Sequence, residues 1–381
     1  MHGVNNDDVN MFFDWLTIEQ DFGFQLPIIG DIAYQRIFIE TGEASSLSQP
    51  AYCHRGSFCD SVLIKISGST LRFSGNPSRW GRIENLFGLS SIDNCVDVYN
   101  KILAELNLPQ FTKCTKIFNR TPIGSKIETF SDGAIIRELH ITTNRSVGEG
   151  NVNDYLAGLS TLNYRYSVPR LHSNGQSVDW LSKNGNAYLI YPTAYNKSHE
   201  LELHGVTKIK NKFGENSDEF EYLSHVIDYC RKNGVVRFEQ KLKSRFLTRE
   251  NLHYWGLSDY TKLNDLQNEF LDLDKKLTVN SMDYETISER LLRHGVVETV
   301  RQANITAMYA LQWMHGQTFD FKKRSIQTHR ARLRKIGIDI AQRCNLAKFS
   351  PVVVREVREV SVIDCPIPDW YKMPQIFKLA S

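Results

Sequence analysis

The chain has 381 residues, 41% hydrophobic and 23% charged, with a net charge of +3. That balance excludes a mainly disordered chain and leaves enough apolar residues for a core, and the length suggests two domains or one large domain with an appendage. No stretch approaches the roughly 20 apolar residues of a membrane span. The start, Met1-His2-Gly3-Val4-Asn5-Asn6-Asp7-Asp8, lacks the basic-then-apolar order of a secretory signal, so a cytoplasmic protein with no membrane partner is expected. The seven cysteines are odd in number and irregularly spaced, as free thiols are. The close pair Cys53 and Cys59 flanks a histidine but lacks the second ligand pair of a zinc site, and reads as a strand-edge loop.

Alternation of apolar and polar residues predicts a strand over Trp15 to Gln20. Two further runs, Ser61 to Ile66 and Thr70 to Phe73, flank Ser67-Gly68-Ser69 and predict a hairpin. A stripe through Val96, Val98, Ile102, Leu103 and Leu106 predicts a helix starting near Ser91. Strands are predicted over Ala134 to Thr143, from Tyr188 onward, and over Val235 to Lys243. Between the last two, Ser217 or Asp218 caps a helix that stops at Asn233-Gly234. After about Leu247 the pattern turns helical, over Asn264 to Leu273, Asp283 to His294 and Val296 to Met314. Strands followed by helices mean an α+β fold, with units over 1–250 and 251–381.

Residues 321–348 hold nine Lys/Arg against one acid, Asp339, a local charge of +8, so the rest of the chain carries −5. A basic block on a mildly acidic body is the electrostatic footprint of nucleic-acid binding. Ser325 to Ile338 reads as a helix with Ile326 and Leu333 inward, similar to the second helix of a helix-turn-helix. Outward Gln327, Arg330 and Arg334 would read base edges, while Lys323, Arg324 and Lys335 would touch phosphates.

Three strands place polar residues on one face. Glu138 and His140, two apart, share a side flanked by Ile136 and Thr142, with Ile135, Leu139 and Ile141 opposite. A carboxylate and an imidazole so placed can hold a divalent cation, though an exposed sheet face would also explain them. Continued past Pro192, the second strand puts Tyr195 and Lys197 on one face. A phenol is a poor nucleophile until a nearby cation favours its phenolate. In the third, Arg237, Glu239, Lys241 and Lys243 face away from Val236, Phe238 and Leu242, as either a phosphate-and-metal site or an ion-pair ladder.

Four segments, in order, carry a resemblance. They are Ser74-Gly75-Asn76-Pro77 to Asn85-Leu86-Phe87-Gly88, Ala194-Tyr195-Asn196-Lys197 to Glu200-Leu201, Gly234-Val235-Val236-Arg237-Phe238-Glu239 to Arg245-Phe246-Leu247, and Pro368-Asp369-Trp370-Tyr371. Together they resemble the gene II-type replication initiators of filamentous bacteriophages. The resemblance implies a nickase-like antiparallel-sheet domain that cuts one strand of circular duplex phage DNA at its origin and later rejoins the displaced strand. It implies Tyr195 as nucleophile, with Glu138, His140 and Glu239 around a Mg2+ or Mn2+ ion. Lys197 would stabilise the phenolate or grip the phosphate. Implied partners are duplex origin DNA, its nicked strand, host helicase and polymerase, and a second copy of the chain. Arg137-Glu138-Leu139-His140 departs from the His-hydrophobe-His of the wider superfamily and the Arg-hydrophobe-Asp of close relatives, which leaves the ligand register open. The rival expectation is a non-catalytic DNA-binding protein, a repressor or origin organiser.

Overall fold

The computed structural model describes residues 10–45, 48–120, 128–274, 287–314, 316–342 and 362–375. Its strands are β1 (Phe12–Asp21), β2 (Tyr52–Arg55), β3 (Ser61–Ser67), β4 (Thr70–Gly75), β5 (Ile117–Arg120), β6 (Glu128–Ser131), β7 (Ile135–Ser146), β8 (Val168–Leu171), β9 (Ser177–Leu181), β10 (Ile190–Asn196), β11 (Val235–Lys243) and β12 (Ile363–Asp364). Its helices are α1 (Ile92–Glu105), α2 (Val152–Leu159), α3 (Lys197–Leu201), α4 (Thr207–Phe213), α5 (Asp218–Asn233), α6 (Ser244–Arg249), α7 (Lys262–Leu271), α8 (Ile287–Arg293), α9 (Val300–Met314) and α10 (Arg324–Arg334), with a π-turn over Glu202–Val206. The fold is α+β.

One antiparallel sheet dominates, in the order β2-β3-β4-β1-β7-β11-β10-β9-β8, with β12 added to β7. Strands β5 and β6 form a separate hairpin. The predicted hairpin is β3–β4, and its Ser67–Thr70 pair closes the turn around Gly68 at φ 64°. Helix α1 starts where Ser91 accepts from Asp93 N–H, and it buries Tyr99, Ile102 and Leu103 against Leu16, Phe73, Leu139 and Ile141. Helix α5 is capped by Ser217 and ends at left-handed Gly234, as its sequence dictates. Strand β2 takes up Cys53, His54 and Arg55, part of the stretch whose sequence pattern presents it as a loop.

Two β-bulges shape the central strands. Thr17 opposes Glu138 while Ile18 opposes Ile136, so β7 carries Arg137 as an extra residue. The expected faces are thereby corrected: Ile136 turns into the core with Leu139 and Ile141, while Ile135 is only half-buried. A strict two-residue period cannot show an inserted residue. A second shift between Phe13 and Trp15 makes Asp14 the extra residue of β1.

Beyond residue 250 the chain does not separate at once. Leu252, Trp255, Leu263 and Leu266 join the core of the β1–β7 half, and Phe270 packs on Trp180 and Phe238. Helices α8–α10 build a core of their own from Leu291, Ala303, Ala310, Trp313, Ile326 and Leu333. The predicted helix over Asp283 to His294 lies outside the described residues up to 286; α8 covers Ile287–Arg293, and His294 lies in the turn that follows. The chain then returns to the sheet: β12 pairs with β7, and Tyr371 is buried beside Phe87.

Candidate active site

Strands β1, β7, β11 and β10 lie side by side, so their paired residues share a face. One row sets Trp15, His140, Lys241 and Tyr191 in line. The next sets Thr142, Glu239 and Thr193, and the third Asn144, Arg237 and Tyr195. Helices α3–α5 cover one end of this face, packing Leu201, Leu223 and Val226 on Val235. The cover ends along β11, where side-chain exposure rises from 0% at Arg237 through 9% at Glu239 and 30% at Lys241 to 35% at Lys243. Glu239 therefore stands at the boundary between a sealed polar interior and open surface.

The structure brings Glu138, His140, Glu239 and Tyr195 into one hydrogen-bonded chain. His140 Nε2 lies 2.9 Å from Glu138 Oε1, and Nδ1 lies 2.9 Å from Glu239 Oε1. The Tyr195 hydroxyl donates to Glu239 Oε2 at 3.3 Å. Ionised carboxylates only accept, so a carboxylate at each ring nitrogen favours the doubly protonated ring. Burial pulls the His140 pKa down, but the two carboxylates outweigh it and raise it above 6.5. Burial likewise opposes ionisation of Glu138, yet His140 and Lys243 Nζ, 2.5 Å away, hold it down at about 2. Glu239 is held low against its burial by His140, Lys241 and Arg237. Trp15 stacks on His140, with ring centroids 5.9 Å apart.

Tyr195 is the opposite case. Burial and the Glu239 charge push its pKa well above 10, and Arg237 only partly offsets them. Arg237 is fully buried and spends its donors on Asn144 Oδ1 (3.0 Å), Asp14 Oδ2 (3.3 Å) and the carbonyls of Asn85 (2.6 Å) and Leu86 (2.7 Å). It locks the strand opposite Tyr195 in place. Lys197 is not on the tyrosine's face. The strand ends at Asn196, whose side chain caps α3, and Lys197 opens that helix. Its buried ammonium donates to Glu200 Oε2 (2.6 Å) and Asn85 Oδ1 (3.0 Å). The neighbouring tyrosine Tyr191 donates instead to Asp179 at 2.9 Å, and burial with that carboxylate pushes its pKa up to about 12.

A divalent cation can be tested against these side chains. Two carboxylates and an imidazole are donors suited to Mg2+ or Mn2+. At metal–ligand distances of 2.0–2.1 Å, neighbouring ligands of one ion sit about 3 Å apart, which matches the separation of Glu239 Oε1 and His140 Nδ1. One imidazole ring offers one nitrogen to an ion, so Glu138 fits as the carboxylate that orients the ring through Nε2–H. Thr142 Oγ1, directly across from Glu239, is buried without a hydrogen-bond partner among the described residues. As arranged, the described residues contain no cluster of three or more His, Cys, Asp or Glu side chains placed to hold one metal ion. The fit is thus to two protein ligands plus an orienting third group.

The family model for the N-terminal region of the phage replication-associated protein, the gene II product, matches residues 12–263, and the model for its C-terminal region matches residues 291–377. The chain belongs to the gene II-type replication-associated protein family. The replication-associated protein of Escherichia phage If1 is 62% identical over 320 residues, covering 84% of this chain and 99% of that protein. No solved structure matches.

The N-terminal family region contains the whole hydrogen-bonded chain; the C-terminal one contains the basic helix and the final Pro368-Asp369-Trp370-Tyr371. Helix α10 buries Ile326 and Leu333 and exposes Lys323, Arg324, Gln327, Arg334 and Lys335. Arg330 is instead paired through Nε with Asp339 at 2.7 Å and lies over the Phe321 ring, and Gln327 donates to Phe321 O. Between α9 and α10 the described residues 316–323 are non-helical, already more than the three- or four-residue turn of a helix-turn-helix. Arg343 and Lys348 lie outside the described residues. Sequence reasoning missed Trp15, although its alternation with Thr17 and Glu19 was a usable signal. Asp14, Asn85 and Asn144, which hold Arg237, had no local signal. Among the described residues, no helix is long and apolar enough to cross a membrane.

Proposed function

We propose that this protein initiates phage DNA replication by nicking one strand of duplex origin DNA through Tyr195, and later rejoins that strand. The observation that carries the reading is the Tyr195–Glu239–His140–Glu138 chain at the edge of the open sheet face. In the cutting step the Tyr195 oxygen attacks the phosphorus and passes its proton to Glu239 Oε2. The bond to the 3′-oxygen breaks, and that oxygen takes up the proton that Glu239 received, relayed through water, leaving a 3′-OH, a 5′-phosphotyrosine and an ionised Glu239. Rejoining reverses these events, so the linkage stores the phosphodiester and needs no ATP. The free 3′-OH is what a polymerase extends.

At rest the chemistry is held off, because burial and Glu239 keep the phenol protonated. A divalent cation held by Glu239 and His140 would favour the phenolate and neutralise the attacked phosphate. Glu138 then fixes the His140 ring, and Lys241 and Lys243 supply positive charge where the strand arrives. Exposed Arg324, Arg334 and Lys335 of the α10 segment would grip origin duplex. A purely DNA-binding role leaves the tyrosine chain without a task. The test mixes the protein, supercoiled plasmid bearing the cognate origin, and Mg2+. Open circles are expected from the natural protein and none from Tyr195→Phe; equal nicking by both would overturn the proposal.

A further inference from the structure

We infer that a groove beside the tyrosine site binds single-stranded DNA, holding the phosphates and one unstacked base of the strand that Tyr195 cuts. The inference rests on the nicking reading and adds where the strand lies. The groove is an open cavity of about 440 Å3 whose lining includes Arg72, Arg137, Glu138, Tyr188, Lys243 and Arg245. Its residues come from adjacent strands in order: Arg72 on β4, Arg137 on β7, Lys243 at the end of β11, Arg245 in α6 and Tyr188 just before β10. Four strand spacings of about 4.8 Å make that band about 19 Å long.

The charges are arranged for phosphate rather than for one another. Glu19 on β1 holds two guanidiniums at once, Arg72 Nη2 at 2.5 Å and Arg137 Nη2 at 2.7 Å. One carboxylate between two arginines fixes two planar donors and leaves a net positive charge. Lys243 balances Glu138, and exposed Arg245 has no ion pair among the described residues. Four cations thus stand against two acids. Tyr188, 65% exposed, lies at the far end of the band. Cations in a row with an accessible aromatic ring suit a strand whose bases are splayed out, because a duplex keeps its bases stacked inside. The opposite end of the face is not open to a strand: Arg237 and Lys197 are both fully buried there, with their donors spent on neighbouring groups. Glu138 belongs both to the groove wall and to the hydrogen-bonded chain, so a strand in the groove runs directly into the site.

The test is fluorescence anisotropy of the full chain with labelled oligothymidylate, alongside a blunt duplex, over a range of salt. Removing one cation that touches a single-strand phosphate lowers the slope of log affinity against log salt by about 0.7, so R72Q/R245Q should lower it by about 1.4. Tyr188→Ala should weaken single-strand binding about 5- to 150-fold and leave duplex binding alone, with Tyr188→Phe restoring it. Unchanged slope and affinity in R72Q/R245Q, or equal loss of single-strand and duplex binding in Tyr188→Ala, would overturn the groove. Binding does not require cleavage, so the two proposals fail separately. A natural protein that never nicks but shows these losses keeps the groove and ends the nicking reading. One that nicks while the variants bind normally does the reverse.

Discussion

Replacing Arg237 by methionine removes the cation from the sealed end of the sheet face. Arg237 has no exposed surface, and its departure leaves Asp14 buried with only the amides of Asn76 and Asn85 as donors. Stranding one member of a buried ion pair costs about 3–5 kcal/mol. The Leu86 carbonyl keeps a donor in Asn144 Nδ2, but the Asn85 carbonyl loses its Arg237 donor, which adds about 1–3 kcal/mol. These losses overlap, so a total of about 4–6 kcal/mol is expected, a large part of the 5–15 kcal/mol that usually holds a protein folded. Urea titration followed by tryptophan fluorescence measures it. Asp14→Asn with Arg237→Met should cost less than the two single changes added together, because no carboxylate is then stranded. A loss under about 1 kcal/mol, or simple additivity, would refute the claim that this pair anchors the strand opposite Tyr195.

Further outcomes follow from the site and from the basic helix. The raised His140 pKa contributes stability that is complete below pH 6.5 and fades as pH rises through the folded value, whereas the lowered Glu138 pKa contributes stability present above about 4.5 and lost as pH falls towards 2. Thermal melts should therefore decline on the alkaline side in the natural protein but not in His140→Asn. Cation binding must displace the His140 proton, so calorimetric Mn2+ affinity should rise between pH 6 and pH 8. Glu138→Gln should weaken it about 10- to 100-fold, and Glu239→Gln more severely. In the α10 segment, Arg334→Ala and Lys335→Ala should each lower the salt slope of duplex origin binding by about 0.9 and leave cleavage of single-stranded origin oligonucleotides intact. Arg330→Ala, which breaks the solvent-screened Asp339 pair, should lower the melting temperature of the helical region only slightly.

Much of the sheet was legible because its strands keep a two-residue period. Val236, Phe238 and Leu242 against Arg237, Glu239 and Lys241 is the pattern observed on β11. That period also foretold Glu138 and His140 on one face, since both lie on the regular side of the bulge. It failed at Ile136, where the extra residue Arg137 reverses the alternation, and at Lys197, where the Asn196 cap starts a helix. Both failures come from local backbone events that hydropathy does not register. The order β1-β7-β11-β10, which brings Tyr195 to Glu239, joins residues 44 apart in sequence and became visible only in the folded chain. The helical half was legible as helices but not as a unit, because the apolar stripe of α7 belongs to the sheet's cores.

The most direct measurement is mass spectrometry of the protein after reaction with an origin oligonucleotide and Mg2+, followed by nuclease and protease digestion. The account predicts a nucleotide 5′-phosphate attached to the peptide carrying Tyr195. A nicked product with that peptide unmodified, or the adduct on Tyr188 or Tyr191, would contradict it.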